Sequence, residues 1–290
     1  MQGVSYFFMR LLVFAFRAIP FSVLYVLSDG FAWFMHYVVG YRKEVMYSNL
    51  KRAFPEKTDV EIKAIMKGAY RNLTDITLET IKGFTMPIEE VQKRCVSVNP
   101  EFVKSTLDSG QSILLAGSHY NTWEWTGLVF PIDLKVPIIC SYKPLSNQLV
   151  NDYYNQRRER TGMQMFSMQD TYAAFRKNQD VASTFILVAD QSPSSKKSAH
   201  WVDFLGIQSA FVPGLDFLSR KFQYPVYYFH VDRVKRGYYQ ITYELVHPNP
   251  AAAENMEVTR AYAQLVEKHI QEQPANWLWS HKRWKIAPPV

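Results

Sequence analysis

Charged positions are almost missing from the start of the chain. Val4 to Gly40 runs apolar and aromatic, with charge only at Arg10, Arg17 and Asp29. A bilayer core takes about 20 apolar residues as helix, and Ile19 to Gly40 nearly meets that, with Pro20 at its start and Asp29 near its middle. A charge at the centre of a spanning helix costs ~2.5–3.5 kcal/mol on insertion scales. The pattern therefore predicts a membrane-anchoring helix or hairpin over 1–42, with a buried pair of core helices as the alternative. A basic n-region and a small-residue cleavage site are both missing, which argues against a cleavable signal peptide. Arg42, Lys43, Lys51 and Arg52 follow. They suit the cytoplasmic side of an anionic membrane, or a solvated helix face.

Beyond residue 42 the spacing changes. Glu44 to Phe54 and Thr58 to Phe84 read as helices broken at Pro55, and Thr58 with Glu61 forms a capping box that starts the second. After a short helix over Pro100 to Asp108, Ser112–Gly117 (SILLAG) is a continuous apolar run. Such a run marks a strand buried on both faces of a parallel sheet. Val136–Tyr142, Ser183–Ala189 and Pro225–Val231 repeat it, with helical stretches around Asn147–Thr161, Asp170–Asn178 and Gly214–Phe222 between. Strands separated by helices imply parallel crossovers and a covered sheet. Arg236-Gly237 between two aromatic-rich runs predicts an antiparallel hairpin near one edge, and a last helix, Asn255 to Gln271, precedes the tail NWLWSHKRWK. No repeat, low-complexity tract or linker divides this part. The expected class is α/β, a mostly parallel central sheet flanked by helices over 43–290.

Composition narrows the partners. Hydrophobic residues make up 48% of the 290, enough for a core and against disorder. A formal net charge of +7 favours a polyanionic partner: nucleic acid, an anionic membrane or an acidic carrier protein. Cys95 and Cys140 have no metal-ligand spacing and read as reduced core thiols.

Candidate chemistry sits where buried strands end, because loops there meet helix N-termini with free backbone donors. The first strand runs into Ser118-His119-Tyr120-Asn121-Thr122-Trp123-Glu124 and the third into Asp190-Gln191. Parallel neighbours would open His119 and Asp190 into one cleft. Five residues of helix turn through about 500°, leaving His119 and Glu124 roughly 140° apart. A loop followed by a first helical turn would instead aim both at one space. Asn121-Thr122-Trp123-Glu124 equally resembles a plain capping box. An imidazole whose far nitrogen donates to a carboxylate is held in one tautomer, so its near nitrogen can take a proton from an alcohol. Acyl transfer to a hydroxyl fits that arrangement. Gly117-Ser118-His119 is not a nucleophile elbow, and His119 has no His or Cys at ligand spacing, so the reading includes no metal.

These residues resemble a family. SHYNTWEW is similar to the H-x4-D/E block of glycerolipid acyltransferases, in the variant of the late acyltransferases of bacterial lipid A biosynthesis. Further blocks follow in order. Tyr47-Ser48-Asn49-Leu50 through Phe54-Pro55-Glu56 resembles the family's "NL…FPE" segment, Asn155–Gly162 its arginine-rich helix end, Ala189-Asp190-Gln191-Ser192 its "DQ" strand end, and Pro274–Lys285 its tryptophan-rich tail. The likeness covers roughly residues 4 to 286. It implies a glycerol-3-phosphate acyltransferase-like fold at the bacterial inner membrane, facing the cytoplasm. The implied reaction moves a fatty acyl chain from acyl carrier protein to a hydroxyl of a lipid A precursor, without a cofactor.

In that reading His119 is the general base and Glu124 its orienting partner. Arg158, then Arg160 and Arg157, bind an anion, and Asp190 orients an arginine or shapes the acceptor site. Each also has a plainer reading: the arginines as helix-end charges, Asp190 as a turn cap, and Trp277, Trp279 and Trp284 as core or membrane-interface aromatics. Ser192–Ser198 lacks the family's glycines and Leu205 replaces an aromatic, which leaves acceptor and chain length open. Two readings compete with a lipid A acceptor: an acyltransferase for a lysophospholipid or aminolipid, and a non-catalytic basic membrane-surface protein. Nucleic acid is excluded as partner, since no binding motif is present and the apolar N-terminus would have no purpose.

Overall fold

The computed structural model describes residues 2–288. Among the described residues five α-helices come first, the second continued by a π-helix over Phe34–Val39: α1 (Gln2–Ala18), α2 (Phe21–Trp33), α3 (Lys43–Ala53), α4 (Asp59–Gly83) and α5 (Ile88–Arg94). The α/β part follows as β1 (Cys95–Ser97), α6 (Glu101–Asp108), β2 (Ile113–Gly117), α7 (Trp123–Leu134), β3 (Ile138–Tyr142), α8 (Gln148–Arg158), β4 (Met163–Ser167), α9 (Thr171–Lys177) and β5 (Thr184–Val188). It ends with β6 (His200–Phe204), β7 (Ile207–Phe211), α10 (Gly214–Phe222), β8 (Val226–Lys235), β9 (Tyr238–His247) and α11 (Glu257–Glu272). The Thr58–Glu61 capping box is formed at the start of α4.

Seven strands make one sheet in the order β1-β9-β8-β2-β5-β3-β4, and β6 with β7 forms a separate hairpin. Every pairing in the large sheet is parallel except β8 with β9. The expected α/β class with a mostly parallel sheet is therefore the observed one. Successive residues of β2 point to opposite faces. Leu114 and Ala116 join a core built with α4, α9, α10 and α11, while Ile113 and Leu115 join one built with α6 and α7. This is why the run is apolar at every position.

The N-terminal helices pack on the sheet domain along one side only. Val13 meets Phe84 and Tyr153, and Phe16 and Leu24 meet Leu78. Lys82 Nζ closes the end of α1 by donating to the carbonyls of Phe16, Arg17 and Ile19 at 2.8–2.9 Å. Asp29, the charge that spoils a spanning helix, is exposed and ion-paired with Arg71 and Arg236, each at 2.8 Å. The opposite side is apolar and exposed at Phe7, Phe8, Leu11, Phe14, Val26, Phe31 and Trp33. Among the described residues no single helix is long and apolar enough to cross a membrane; Phe21–Val39 and Lys43–Ala53 meet the requirement only as a pair, bent by 96°.

Candidate active site

The parallel register of β2 with β5 pairs Gly117 with Val188. His119 and Asp190 each lie two residues past that pair, so sheet geometry alone carries them to the same place. Gly117 has to be glycine, since a Cβ there would come within 2.2 Å of the Phe229 ring on β8. The chain then turns sharply. Asn121 adopts a left-handed φ of 49°, with its side-chain amide donating to the Val231 carbonyl at 2.7 Å, and α7 begins.

His119 Nδ1 lies 2.7 Å from Asp190 Oδ1, and the His119 backbone N–H donates to Asp190 Oδ2 at 2.9 Å. The Trp277 indole N–H donates to the same Oδ2 at 2.7 Å. Burial of Asp190 opposes its charge, but the His119 ring and these two donors outweigh it. The carboxyl is held below the usual range. An ionised Asp190 fixes the proton on Nδ1 and leaves the Nε2 lone pair outward, where the Gln191 carboxamide N–H₂ donates to it at 3.2 Å. His119 is part-exposed while Asp190 is 1% exposed, so the ring bridges a buried anion and the open site.

The tail supplies the other wall. Leu278 N–H donates to the His119 carbonyl and Asn121 N–H to the Asn276 carbonyl, both at 3.1 Å. Asn49 on α3 donates to the carbonyls of Trp279 and His281 at 3.0 and 2.8 Å, pinning the tail in turn. Burial pushes the His281 imidazole down to about 4, so neutral Nε2 accepts the Ser192 N–H. Trp277, read from sequence as core or interface, is thus a ligand of the candidate base's own partner.

The remaining expected residues fall differently. Glu124 was expected to orient His119; in the structure it takes a bidentate pair from Arg158, Nε to Oε2 at 2.9 Å and a terminal nitrogen to Oε1 at 2.6 Å. Asp190 occupies the position on Nδ1 instead. The physical reason is the turn at Asn121, which starts α7 so that Glu124 faces α8. The plain capping alternative fails as well, because Thr122 makes no side-chain cap bond. Burial works against the Arg158 charge, but Glu124 outweighs it and raises the guanidinium's affinity for its proton. Arg158 therefore carries a carboxylate rather than standing open for an anion. Arg160 is bound to the carbonyls of Met86 and Gly83 at 2.7 and 2.9 Å, and Arg157 lies over the Tyr153 ring at 4.8 Å. The site is joined along the chain: the Trp123 ring meets His119 edge-on at 5.1 Å, and Glu124 follows it.

A buried Asp–His couple of this kind can lower the barrier for proton removal from a hydroxyl. Comparison with known proteins gives that chemistry a setting. The family model described as "Bacterial lipid A biosynthesis acyltransferase" matches residues 2–286. A "Lipid A biosynthesis acyltransferase" of Haemophilus influenzae is 24% identical over 275 residues, covering 93% of this chain and 86% of that protein. The "Lipid A biosynthesis lauroyltransferase" of Escherichia coli is 23% identical, with 93% and 88% covered. The "Lipid A biosynthesis palmitoleoyltransferase" of the same species is 22% identical, with 93% and 87% covered.

Proposed function

The chain belongs to the bacterial lipid A biosynthesis acyltransferase family, and from that premise we propose that it moves a fatty acyl chain from an acyl carrier protein thioester to a hydroxyl of a lipid A precursor. The observation that carries the mechanism is the His119–Asp190 couple at the ends of two adjacent parallel strands. The acceptor hydroxyl displaces the Gln191 amide from Nε2 and hydrogen-bonds to it. As its oxygen forms the bond to the thioester carbonyl, the proton passes to Nε2 and Asp190 stabilises the imidazolium. Collapse of the tetrahedral intermediate breaks the C–S bond, and the same proton goes to the leaving thiolate. The oxyanion needs preorganised donors, and the Gln191 amide, once displaced from the ring, is free to donate to it. The activated thioester supplies the driving force, so the reading needs no cofactor.

The net charge of +7 suits an acidic carrier protein. Incubating the protein with labelled acyl carrier protein thioesters and a tetra-acylated lipid A precursor is expected to raise the lipid's mass by one acyl group. Transfer only to a lysophospholipid or aminolipid would overturn the acceptor, and transfer from no carrier protein thioester would overturn the donor.

We read the exposed apolar side of α1 and α2 as a seat on the inner membrane's cytoplasmic leaflet, lying in the interface rather than crossing it. An apolar helix face with Arg10 and Arg17 beside it is the composition such helices use. Phe8→Glu with Phe14→Glu is expected to release the protein from anionic vesicles in flotation. Both side chains are exposed, 61% and 71%, so thermal stability should hold. A double variant that floats like wild type would refute the seat.

A further inference from the structure

The His119 chemistry leaves one large space unused. A cavity of about 470 Å³ lies between the N-terminal helix and the sheet domain, where Met9, Leu12 and Val13 of α1 face Ile81, Phe84 and Tyr154. Its size falls within the range of small-molecule sites. Its polar lining includes Lys143, Asn155 and Arg158. The last of these holds Glu124, whose neighbour Trp123 touches His119, so a short run of contacts links the cavity wall to the His119 loop.

The wall formed by α1 is built rather than accidental. Lys82 closes its C-terminal carbonyls, the Asn147 amide donates to the Gln2 carbonyl at 3.1 Å, and Arg10 lies over the Tyr153 ring of α8 at 5.1 Å. Residues on the other side of the same helix, Phe7, Leu11 and Phe14, stand exposed and apolar. One helix therefore has an outward face suited to lipid and an inward face lining an apolar slot that reaches Arg158, the partner of Glu124. An aliphatic chain is the ligand that both faces suit, because it gains only from leaving water and needs no polar partner along its length.

We propose that this cavity holds a fatty acyl chain of one of the two substrates, so that α1 is part of the substrate site as well as a membrane seat. The identity of the chain as substrate rests on the acyltransferase reading above. The test uses Met9→Trp and Leu145→Trp, a half-buried and an exposed lining position where added bulk narrows the slot without overfilling a core. Turnover is followed with acyl carrier protein thioesters of increasing length and with varied lipid acceptor. A loss in kcat/KM that grows with chain length, by roughly fourfold for each methylene displaced, places the donor's chain in the cavity. A raised KM for the acceptor, with the donor length profile unchanged, places an acceptor chain there.

A second readout needs no turnover. Fluorescent polyene fatty acid is expected to bind full-length His119→Ala protein and to lose affinity when Met9→Trp is added. Polyene binding that is lost with Met9→Trp, together with no acyl transfer by the wild-type protein to any acceptor, would keep the cavity and sink the acyltransferase reading. Wild-type length profile, acceptor KM and polyene binding in both tryptophan variants would overturn the cavity's role.

Discussion

His119→Ala and Asp190→Asn are each expected to lower turnover by about 10²–10⁴-fold, the range for loss of a positioned general base. The two losses arise differently. Alanine removes the proton acceptor. Asparagine keeps the shape of Asp190 but has one acceptor oxygen where the carboxylate has two. The Oδ2 site receives both the His119 backbone N–H and the Trp277 indole N–H, so the amide oxygen takes that place and the N–H₂ turns toward Nδ1. His119 then has to accept at Nδ1 and carry its proton on Nε2, the tautomer that cannot act as base. Steady-state kinetics should show the loss in kcat, with substrate KM changed little. A fall of less than tenfold in Asp190→Asn would assign the orienting role elsewhere.

The same substitution has a pH signature in stability. The Asp190 carboxyl lies below its ordinary range in the folded protein, so its ionised form stabilises the fold above the unfolded carboxylate pKa. That contribution is lost as pH falls through the depressed folded value. Asp190→Asn removes a group that binds protons more readily when unfolded, and the acid limb of the stability curve should flatten. An unchanged acid limb in thermal melts would contradict the ionised couple.

How far the sequence carries this site depends on whether contacts are set by strand register or by distant packing. The runs SILLAG and STFILVA announce two buried strands, and the polar residues beyond them, His119 two positions past the first and Asp190 directly past the second, are legible without coordinates. Parallel pairing then brings His119 to Asp190. Which carboxylate holds the imidazole is another matter. Glu124 is close to His119 in sequence, but the left-handed turn at Asn121 sends it to Arg158, and nothing local encodes a bond across 34 positions. Trp277 reaches Asp190 across 87 positions, so its indole read only as an aromatic.

Missed fold elements have local causes. Met163–Ser167 is an edge strand with only Met163 buried, lacking the continuous apolar pattern of the central strands. The β6–β7 hairpin turns at Leu205 and Gly206, both with positive φ, 53° and 69°. A two-residue hairpin turn of that kind is signalled by Asn-Gly or Asp-Gly, and leucine at the first position hides it.

The Glu124–Arg158 pair decides whether Glu124 acts on the reaction or on its neighbour. Their side chains are 17% and 22% exposed, so breaking the pair should cost roughly 1–3 kcal/mol, between the exposed and buried limits. Glu124→Gln and Arg158→Gln are each expected to fall by that amount in denaturant unfolding, because each leaves one charge without its counter-ion. Combining them should recover part of the loss. For activity the expected result is about a 10²-fold fall in either single variant, from misplacement of α8 against the catalytic loop. The double variant should be no worse than the worse single, since both substitutions remove one interaction. If Glu124 touched the reacting atoms itself, Glu124→Gln would lower the rate of Arg158→Gln again by its full factor. Multiplying losses in the cycle would move Glu124 into the catalytic machinery; coincident losses keep it as the carboxylate that sets Arg158 at the wall of the cavity.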